Sequence, residues 1–156
     1  MRFALYQPDQ AGNVGTILRT AACLGVPVDV IEPCGFPWGD RALKRAGMDH
    51  AELAAVTRHP DWAAFEAALE RRLVLFTTAG AVPLPEARFE PGDTLLFGSE
   101  NRGVPEAVHE RADLRVRIPQ IEGTRSLNLA VAAGIGVAEA LRQTGLWIGE
   151  CVRGPV

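Results

Sequence analysis

The chain contains 156 residues, of which 47% are hydrophobic and 22% are charged. This composition fits one globular domain and argues against a second catalytic domain. The formal net charge of -3 provides no general attraction for polyanions, so any contact with nucleic acid must depend on a local basic patch.

The cysteines and the apolar runs indicate in which cellular compartment the protein is expected. Cys23, Cys34 and Cys151 are odd in number and widely spaced, which argues against a disulfide framework and against a zinc site. The apolar run at 1–6 is too short for a signal peptide, and the longest apolar run, 129–138, is too short to cross a bilayer. We therefore expect a cytoplasmic protein with no membrane partner.

Strand-like and helix-like patterns alternate along the chain, which predicts an α/β fold with a mostly parallel sheet. The predicted strands are 3–6, 28–31, 73–77 and 94–97, with a weak strand at 53–57. The predicted helices are one that begins near residue 13, a short basic one at 40–46, and longer ones at 60–72 and 127–142. The proline-rich segment 79–92 is predicted to be a surface loop.

The first and last helices carry the clearest local signals. Asn13 is a good N-cap for the first helix, and Gly25 is a good C-terminal stop. The predicted apolar face of the last helix consists of Leu127, Val131, Ile135, Ala138 and Leu141. Small residues occupy the rest of that helix and would let another backbone or a ligand approach closely, as at a subunit interface.

Two polar clusters interrupt apolar surroundings in the second half of the chain. The segment 98–103 follows a predicted strand, and the segment 123–128 opens the last helix. Buried polar groups cost free energy unless they are paired or used, so these clusters mark the predicted functional region. From spacing alone, a ligand site and a Glu100–Arg102 ion pair that braces a loop are equally good interpretations.

Several standard sites are not indicated. The segment 98–103 has the end spacing of a P-loop but lacks the Lys-Ser/Thr pair, and no G-x-G-x-x-G follows the first strand. His50, His59 and His109 lack metal-ligand spacing, which favours surface or capping roles and predicts no metal. Ser99 lacks the G-x-S-x-G setting of a hydrolase nucleophile.

Three motifs together resemble those of a known family. They are Asn13-x-Gly15-x-x-x-Arg19, the loop 97–103, and Ile118-Pro119 followed by Ser126-Leu127-Asn128-Leu129. In this order they are similar to the motifs of SpoU/TrmH-type RNA 2'-O-methyltransferases of the SPOUT class. The segments 31–36 and 45–49 resemble the short branch of that family, which lacks an added RNA-binding domain and methylates the wobble cytidine or uridine 34 of tRNA.

The resemblance implies a single SPOUT methyltransferase domain over 1–156, in which the carboxyl-terminal part of the α/β fold forms a deep trefoil knot. It also implies a homodimer, tRNA as the substrate, and S-adenosylmethionine as a cofactor bound in the knot loops. The implied cofactor contacts are Phe76, Thr77, Thr78, Gly98, Ser99, Glu100, Gly103, Ile118, Gln120, Ser126 and Leu127.

Arg19 is the principal catalytic residue that the resemblance implies. A guanidinium with a pKa above about 12 rarely loses its proton, so we expect Arg19 to hydrogen-bond phosphate and the developing alkoxide rather than act as a base. Asn13, Glu100, Ser126 and Asn128 are expected to orient Arg19, the ribose and the cofactor. Taken singly, Asn13 and Ser126 are better explained as helix N-caps, whereas together with the resemblance a functional role is favoured for all five residues.

The basic residues predicted to contact RNA are Arg19, Arg41, Lys44, Arg45, Arg58 and Arg102. An ordinary solvated surface is the alternative interpretation of this patch. Ser99 and Asn101 stand where the wobble branch often has Pro and Thr, which bears on the substrate more than on the reaction. The alternatives for the whole chain are a non-catalytic RNA- or cofactor-binding SPOUT protein, a methyltransferase for another RNA site, and a flavodoxin-like signalling domain, for which Asp9 alone is poor support.

Overall fold

Strands and helices alternate along the residues that the computed structural model describes, which are 1–38, 55–79 and 82–148. Within these ranges the strands are β1 (Arg2–Tyr6), β2 (Val28–Ile31), β3 (Val56–His59), β4 (Leu73–Phe76), β5 (Val82–Pro83), β6 (Thr94–Phe97) and β7 (Leu114–Arg117). The helices are α1 (Ala11–Leu24), α2 (Trp62–Ala68), α3 (Glu106–Arg111) and α4 (Leu129–Thr144), and a 3-10 turn covers Leu84–Glu86.

The strands form one sheet in the order β3-β2-β1-β6-β4-β7-β5, and all the pairings between them are parallel. From β1 the chain first extends the sheet through β2 and β3, and later strands are added on the other side of β1. The order therefore reverses between β1 and β6, which makes their carboxyl ends the expected ligand-binding crevice. The predicted α/β fold with a mostly parallel sheet is confirmed.

Helices cover both faces of the sheet, as parallel crossovers require. On one face, α1 and α4 pack against a core that includes Phe3, Val28 and Leu95. On the other face, Phe65 of α2 and Val108 of α3 join a second cluster of buried strand residues. The apolar strand runs are buried because they lie between these two layers.

Helix α1 begins two residues before the predicted start. Its N-cap is Gln10, and Asn13 lies inside the first turns with only 8% of its surface exposed. The prediction of Asn13 as an N-cap is wrong, because its amide is used in long-range hydrogen bonds instead. The predicted stop is confirmed, since Gly25 adopts φ 64° and donates its N–H to carbonyls in the last turn.

The predicted apolar face of α4 is wrong at two central positions. Val131 and Ile135 are 51% and 37% exposed, and Leu127 lies before the helix. The residues that face the sheet are Leu129, Ala133, Gly136, Val137, Ala140 and Leu141. The sheet side of α4 thus contains many small residues, because the helix packs very closely on the strands.

Gly136 is the point of closest approach between α4 and the sheet. A Cβ atom there would lie 2.6 Å from Cζ of Phe76, whose ring is stacked on Phe97 at a centroid distance of 4.7 Å. Gly136→Ala is therefore expected to lower the free energy of unfolding by about 1–2 kcal/mol, since overpacking outweighs the gain in helix propensity. The measurement is denaturant unfolding.

Gly12→Ala is the control for that substitution. Gly12 lies in α1, and a Cβ atom there would meet no other atom within 4 Å. The same change should therefore be neutral or stabilise the protein by up to about 1 kcal/mol. Equal effects of the two substitutions would contradict the packing argument.

Three other predicted elements differ from the structure. The segment 79–92 is not only a surface loop, because β5 pairs with β7 and residues such as Leu84 and Phe89 are buried. Helix α2 is shorter than 60–72, since Asp61 caps it by accepting a hydrogen bond from the N–H of Ala64 at 2.8 Å and the chain must turn back into β4. The weak strand is β3, shifted by a few residues, and the helix predicted at 40–46 lies outside the described residues.

Of the helices in the described ranges, none is both long enough and apolar enough to span a membrane.

Candidate functional site

A cavity of about 480 Å³ lies at the carboxyl ends of β4, β6 and β7. Phe76, Phe97 and Val116, near the ends of these strands, contribute apolar walls, and the start of α4 closes one side. The volume is in the range of small-molecule sites, and the position beside the reversal of strand order is where open α/β sheets bind ligands. This cavity is the candidate functional site.

Every residue predicted to contact a cofactor lines this cavity. Three separate segments supply them, one after β4, one after β6, and one between β7 and α4. The residues are Phe76, Thr77, Thr78, Gly98, Ser99, Glu100, Gly103, Ile118, Gln120, Ser126 and Leu127. Because the parallel strands end at the same edge of the sheet, segments about 50 residues apart in sequence meet around one space.

A chain of hydrogen bonds connects the three motifs at the cavity wall. Asn13 donates from Nδ2 to Oε1 of Glu100 at 2.7 Å, and Asn128 donates from Nδ2 to Oδ1 of Asn13 at 2.8 Å. The Oδ1 atom of Asn128 accepts from the N–H groups of Ala130 at 2.9 Å and Val131 at 3.3 Å. We call the three side chains Asn13, Glu100 and Asn128 the amide relay.

The amide relay fixes the orientation of each of its members. Asn128 is the N-cap of α4, so the alternative that Ser126 caps this helix is wrong. Both carboxylate oxygens of Glu100 are occupied, because Oε2 accepts the N–H of Asp9 at 2.7 Å. Within the described residues Glu100 forms no ion pair with Arg102, so the interpretation of this pair as a loop brace is wrong.

The loop 98–103 is held in a tight turn. The N–H of Ser99 donates to the carbonyl of Gly103 at 3.1 Å, and the N–H of Gly103 donates back at 2.8 Å. A Cβ atom on Gly98 would lie 2.7 Å from the backbone of Gly103, so the turn requires glycine there. Gly103 itself has φ 66°, which also favours glycine.

Asp9 anchors this loop to the segment before α1. Its Oδ2 atom accepts from the Asn101 N–H at 2.9 Å and from the Ser99 hydroxyl at 2.8 Å. The hydrogen bond from Asn101, followed by that from Ser99, holds the pKa of Asp9 below its usual range. Because the pKa is lowered in the folded state, this anchor is present at neutral pH and is lost only as the pH falls through the folded-state pKa.

Asp9→Ala is expected to weaken cofactor binding by about tenfold, because two hydrogen bonds to a charged acceptor are lost and the loop 98–103 loosens. Asp9→Asn should have a smaller effect, because an amide oxygen can still accept both bonds. Isothermal titration of both variants with S-adenosylmethionine measures the difference. Equal affinities for the wild-type and alanine proteins would contradict the anchoring role.

Arg19, the predicted catalytic residue, is not among the residues that line the cavity. It lies on the exposed side of α1, six residues after Asn13, so the two side chains point about 120° apart around the helix axis. Within the described part of the chain, Arg19 makes no hydrogen bond or ion pair. No group among the described residues therefore occupies its guanidinium.

The predicted RNA-binding residues are only partly brought together. Arg102 lines the cavity, whereas Arg58 lies outside it and pairs with Glu32. Arg41, Lys44 and Arg45 lie outside the described residues.

The structure adds cavity residues that the sequence did not indicate. His109 of α3 lines the cavity, although its spacing favoured a surface or capping role. Gln10 lines it from the start of α1. Neither residue stands in a recognisable motif, so only the folding of α1 and α3 toward the strand ends reveals them. Over the described ranges, no group of three or more His, Cys, Asp or Glu side chains is arranged to hold a metal ion.

The chain is similar in sequence to named RNA methyltransferases. The tRNA (cytidine(34)-2'-O)-methyltransferase of Ancylobacter novellus is 51% identical over 93% of this chain and 94% of that protein. The Escherichia coli K12 protein of the same name is 41% identical over the same shares of the two chains.

Solved structures give the same result. A structure that concerns 2-OH methylation of C/U34 on tRNA matches with a TM-score of 0.86 and 46% identity, covering 91% of this chain and 94% of that one. The AdoMet-bound rRNA methyltransferase of Sinorhizobium meliloti matches with a TM-score of 0.80 and 30% identity, covering 90% of this chain and 55% of that one. The SpoU rRNA Methylase family matches residues 1–138. The chain therefore belongs to the SpoU methylase family.

Proposed function

We propose that the protein transfers a methyl group from S-adenosylmethionine to the ribose 2'-hydroxyl of nucleotide 34 of tRNA, a cytidine or a modified uridine. The observation that carries this proposal is that residues from all three motifs line one cavity, with the amide relay joining them. Relatives named tRNA (cytidine(34)-2'-O)-methyltransferase, at 41% to 52% identity over more than 90% of the chain, support the choice of nucleotide.

The cavity fits S-adenosylmethionine in size and in chemistry. Its walls combine apolar side chains with the backbone and hydroxyl groups of three loops, which suits a nucleoside that carries an amino-acid tail. Phe76, Ile118 and Leu127 would pack against apolar parts, while Thr77 and Ser126 offer hydroxyl groups. When bound, the cofactor supplies a methyl group that is activated by its sulfonium centre.

The task of the protein side chains is to place the ribose hydroxyl and to stabilise the negative charge that develops on its oxygen. The amide relay holds the start of α4 against the loop 98–103, so the cavity wall keeps one shape during the reaction. Arg19 would donate hydrogen bonds to the phosphate and to the developing alkoxide.

We also propose that the active protein is a homodimer. Leu127, Val131 and Ile135 expose apolar side chains in and just before α4, and such a patch marks an interaction surface. Gly134 lies beside them with open space around its Cβ position, so a second backbone can approach closely. A second copy of the chain at this surface would bring its own α1, and hence Arg19, toward the cavity.

Three further expectations complete the proposal. We infer a single SPOUT domain over 1–156, a trefoil knot in its carboxyl-terminal part, and a cytoplasmic location. The resemblance of the three motifs to those of the SPOUT class supports the domain and the knot, and the proposed tRNA substrate supports the location.

The test is methyl transfer from labelled S-adenosylmethionine to a pool of unmodified tRNAs, followed by mapping of the labelled nucleotide. We expect the label on the ribose of nucleotide 34. Ribosomal RNA serves as the competing substrate in the same assay. Label in ribosomal RNA alone, or in no RNA, would contradict the proposed substrate.

A further inference from the structure

Three planar side chains are stacked where the loop 32–38, which follows β2, meets β3. The rings of Phe36 and Trp38 lie 6.2 Å apart with 26° between their planes. The guanidinium carbon of Arg58 lies over Trp38, 5.0 Å from its ring centre. Phe36 and Trp38 are partly buried and pack against the core, whereas Arg58 is exposed. We call these three side chains the planar stack.

The charge of Arg58 is already paired. Its Nε atom donates to Oε1 of Glu32, and its Nη2 atom forms an ion pair with the same oxygen. This pairing uses one edge of the guanidinium and leaves its flat faces. The guanidinium carbon lies over the Trp38 ring, and the side chain as a whole remains 46% exposed. Arg58 is therefore poorly suited to bind a phosphate but well suited to stack on a further planar group.

The planar stack lies at the same edge of the sheet as the cavity. Arg58 is near the carboxyl end of β3, and the loop 32–38 follows the carboxyl end of β2. The N–H of Gly35 donates to the carbonyl of Pro8 at 2.9 Å, so the loop is bound to the segment before α1. Gln10, the N-cap of α1, follows Pro8 by two residues and lines the cavity. A substrate held at the cavity can therefore extend onto the planar stack.

We propose that the planar stack binds an unpaired nucleobase of the RNA substrate, which continues the stack on the outer face of the Arg58 guanidinium. This inference rests on the proposed function. Proteins recognise RNA loops mainly through splayed bases that stack on aromatic rings and guanidinium planes, and the wobble nucleotide lies in such a loop. The base would hold the loop while a neighbouring ribose enters the cavity.

The test compares stacking with phosphate binding in an RNA-binding titration at several salt concentrations. Arg58→Lys keeps the charge and the pairing with Glu32 but removes the plane. We expect it to weaken binding of an anticodon stem-loop RNA by about 5- to 100-fold. The salt slope, which is the slope of log affinity against log salt concentration, should stay unchanged. Arg142→Lys is the matched control, because Arg142 is also paired with a glutamate, Glu139, at 2.7 Å. That variant should bind like the wild type.

Two substitutions of Trp38 test whether its ring holds the Arg58 guanidinium in place for stacking. Trp38→Leu should weaken RNA binding as much as Arg58→Lys, whereas Trp38→Phe should stay within about threefold of the wild type, because a ring still supports the guanidinium. Affinity for S-adenosylmethionine should be unchanged in both, which shows that the site remains folded. In the methyltransferase assay, the KM for RNA should rise while kcat is kept.

Different experimental outcomes would contradict the base-binding role of the planar stack and the proposed function. Wild-type RNA affinity in Arg58→Lys would overturn the planar stack as a base site, even while the wild-type protein methylates tRNA. A shallower salt slope in Arg58→Gln would show a phosphate contact instead and would also overturn it. A wild-type protein that neither binds nor methylates RNA would overturn both.

Discussion

Asn128→Asp is expected to lower kcat for methyl transfer by about 100-fold or more while leaving the fold intact. Asn128 has two separate tasks, since its Oδ1 atom caps α4 and its Nδ2 atom donates to Asn13 at 2.8 Å. An aspartate keeps an oxygen for the cap, and its negative charge at a helix N-terminus is favourable. It loses the donor, however, and places a carboxylate oxygen against the Oδ1 atom of Asn13.

The rest of the amide relay must then rearrange. The Nδ2 group of Asn13 donates to Glu100 at 2.7 Å, so Asn13 cannot turn its amide over without facing that carboxylate with an oxygen. The start of α4 and the loop 98–103 would separate, and a displacement of about 1 Å at reacting groups costs about 100-fold in rate. The measurement is single-turnover methyl transfer at saturating cofactor and RNA.

Asn128→Ala distinguishes the helix-capping function of Asn128 from its function in the amide relay. It removes both functions of the side chain, so we expect the same loss of kcat together with a loss of about 1 kcal/mol of unfolding free energy from the missing cap. Asn128→Asp should unfold at nearly the wild-type denaturant concentration. A kcat within threefold of the wild type in Asn128→Asp would show that the relay does not position the site.

The sequence predicted the sheet better than the helices around it. The runs at 28–31 and 94–97 are short, mostly apolar and bounded by turn residues, and a strand buried on both faces favours this pattern. For α4, hydrophobicity favoured Val131 and Ile135, yet the sheet accepts small residues because the helix lies so close to it. The packing distance between two elements is not encoded in the periodicity of either one.

The residues that line the cavity were also predictable from the sequence, whereas the hydrogen-bond pairs among its side chains were not. Residues that follow parallel strands meet at one edge whatever their separation in sequence, so the predicted cofactor contacts converge. The amide relay joins residues 87 and 115 positions apart, and no local pattern indicates which polar side chains will pair. The sequence pattern around Asp9 gives only weak support for a signalling domain, whereas in the structure Asp9 holds the loop 98–103.

Arg19 raises the remaining question of which cavity it serves. Arg19 is exposed on α1 and does not line the cavity, whereas the exposed apolar residues Val131 and Ile135 offer a surface for the second copy in the proposed homodimer. If Arg19 acts on the cavity of the other protomer, each active site draws on two chains. Two inactive variants should then complement each other.

Arg19→Ala and Asn128→Asp proteins, inactive alone, are therefore expected to regain activity when they are co-expressed with different tags and purified as mixed dimers. In such a dimer one site receives both substitutions and the other receives neither. The mixed dimer should show about half of the wild-type activity, and a random mixture about a quarter, because only about half of its dimers are mixed. Labelled methyl transfer to tRNA measures the recovery.

The matched control combines two substitutions that fall in the cavity of one chain. Glu100→Gln and Asn128→Asp both act on the amide relay, so a mixed dimer of these variants carries one defect in each cavity and should remain inactive. Recovery in the Arg19 pair without recovery in the Glu100 pair places Arg19 across the interface. Absence of recovery in both pairs would mean that Arg19 serves its own protomer, which would require α1 or the RNA to bring the guanidinium to the cavity from the same chain.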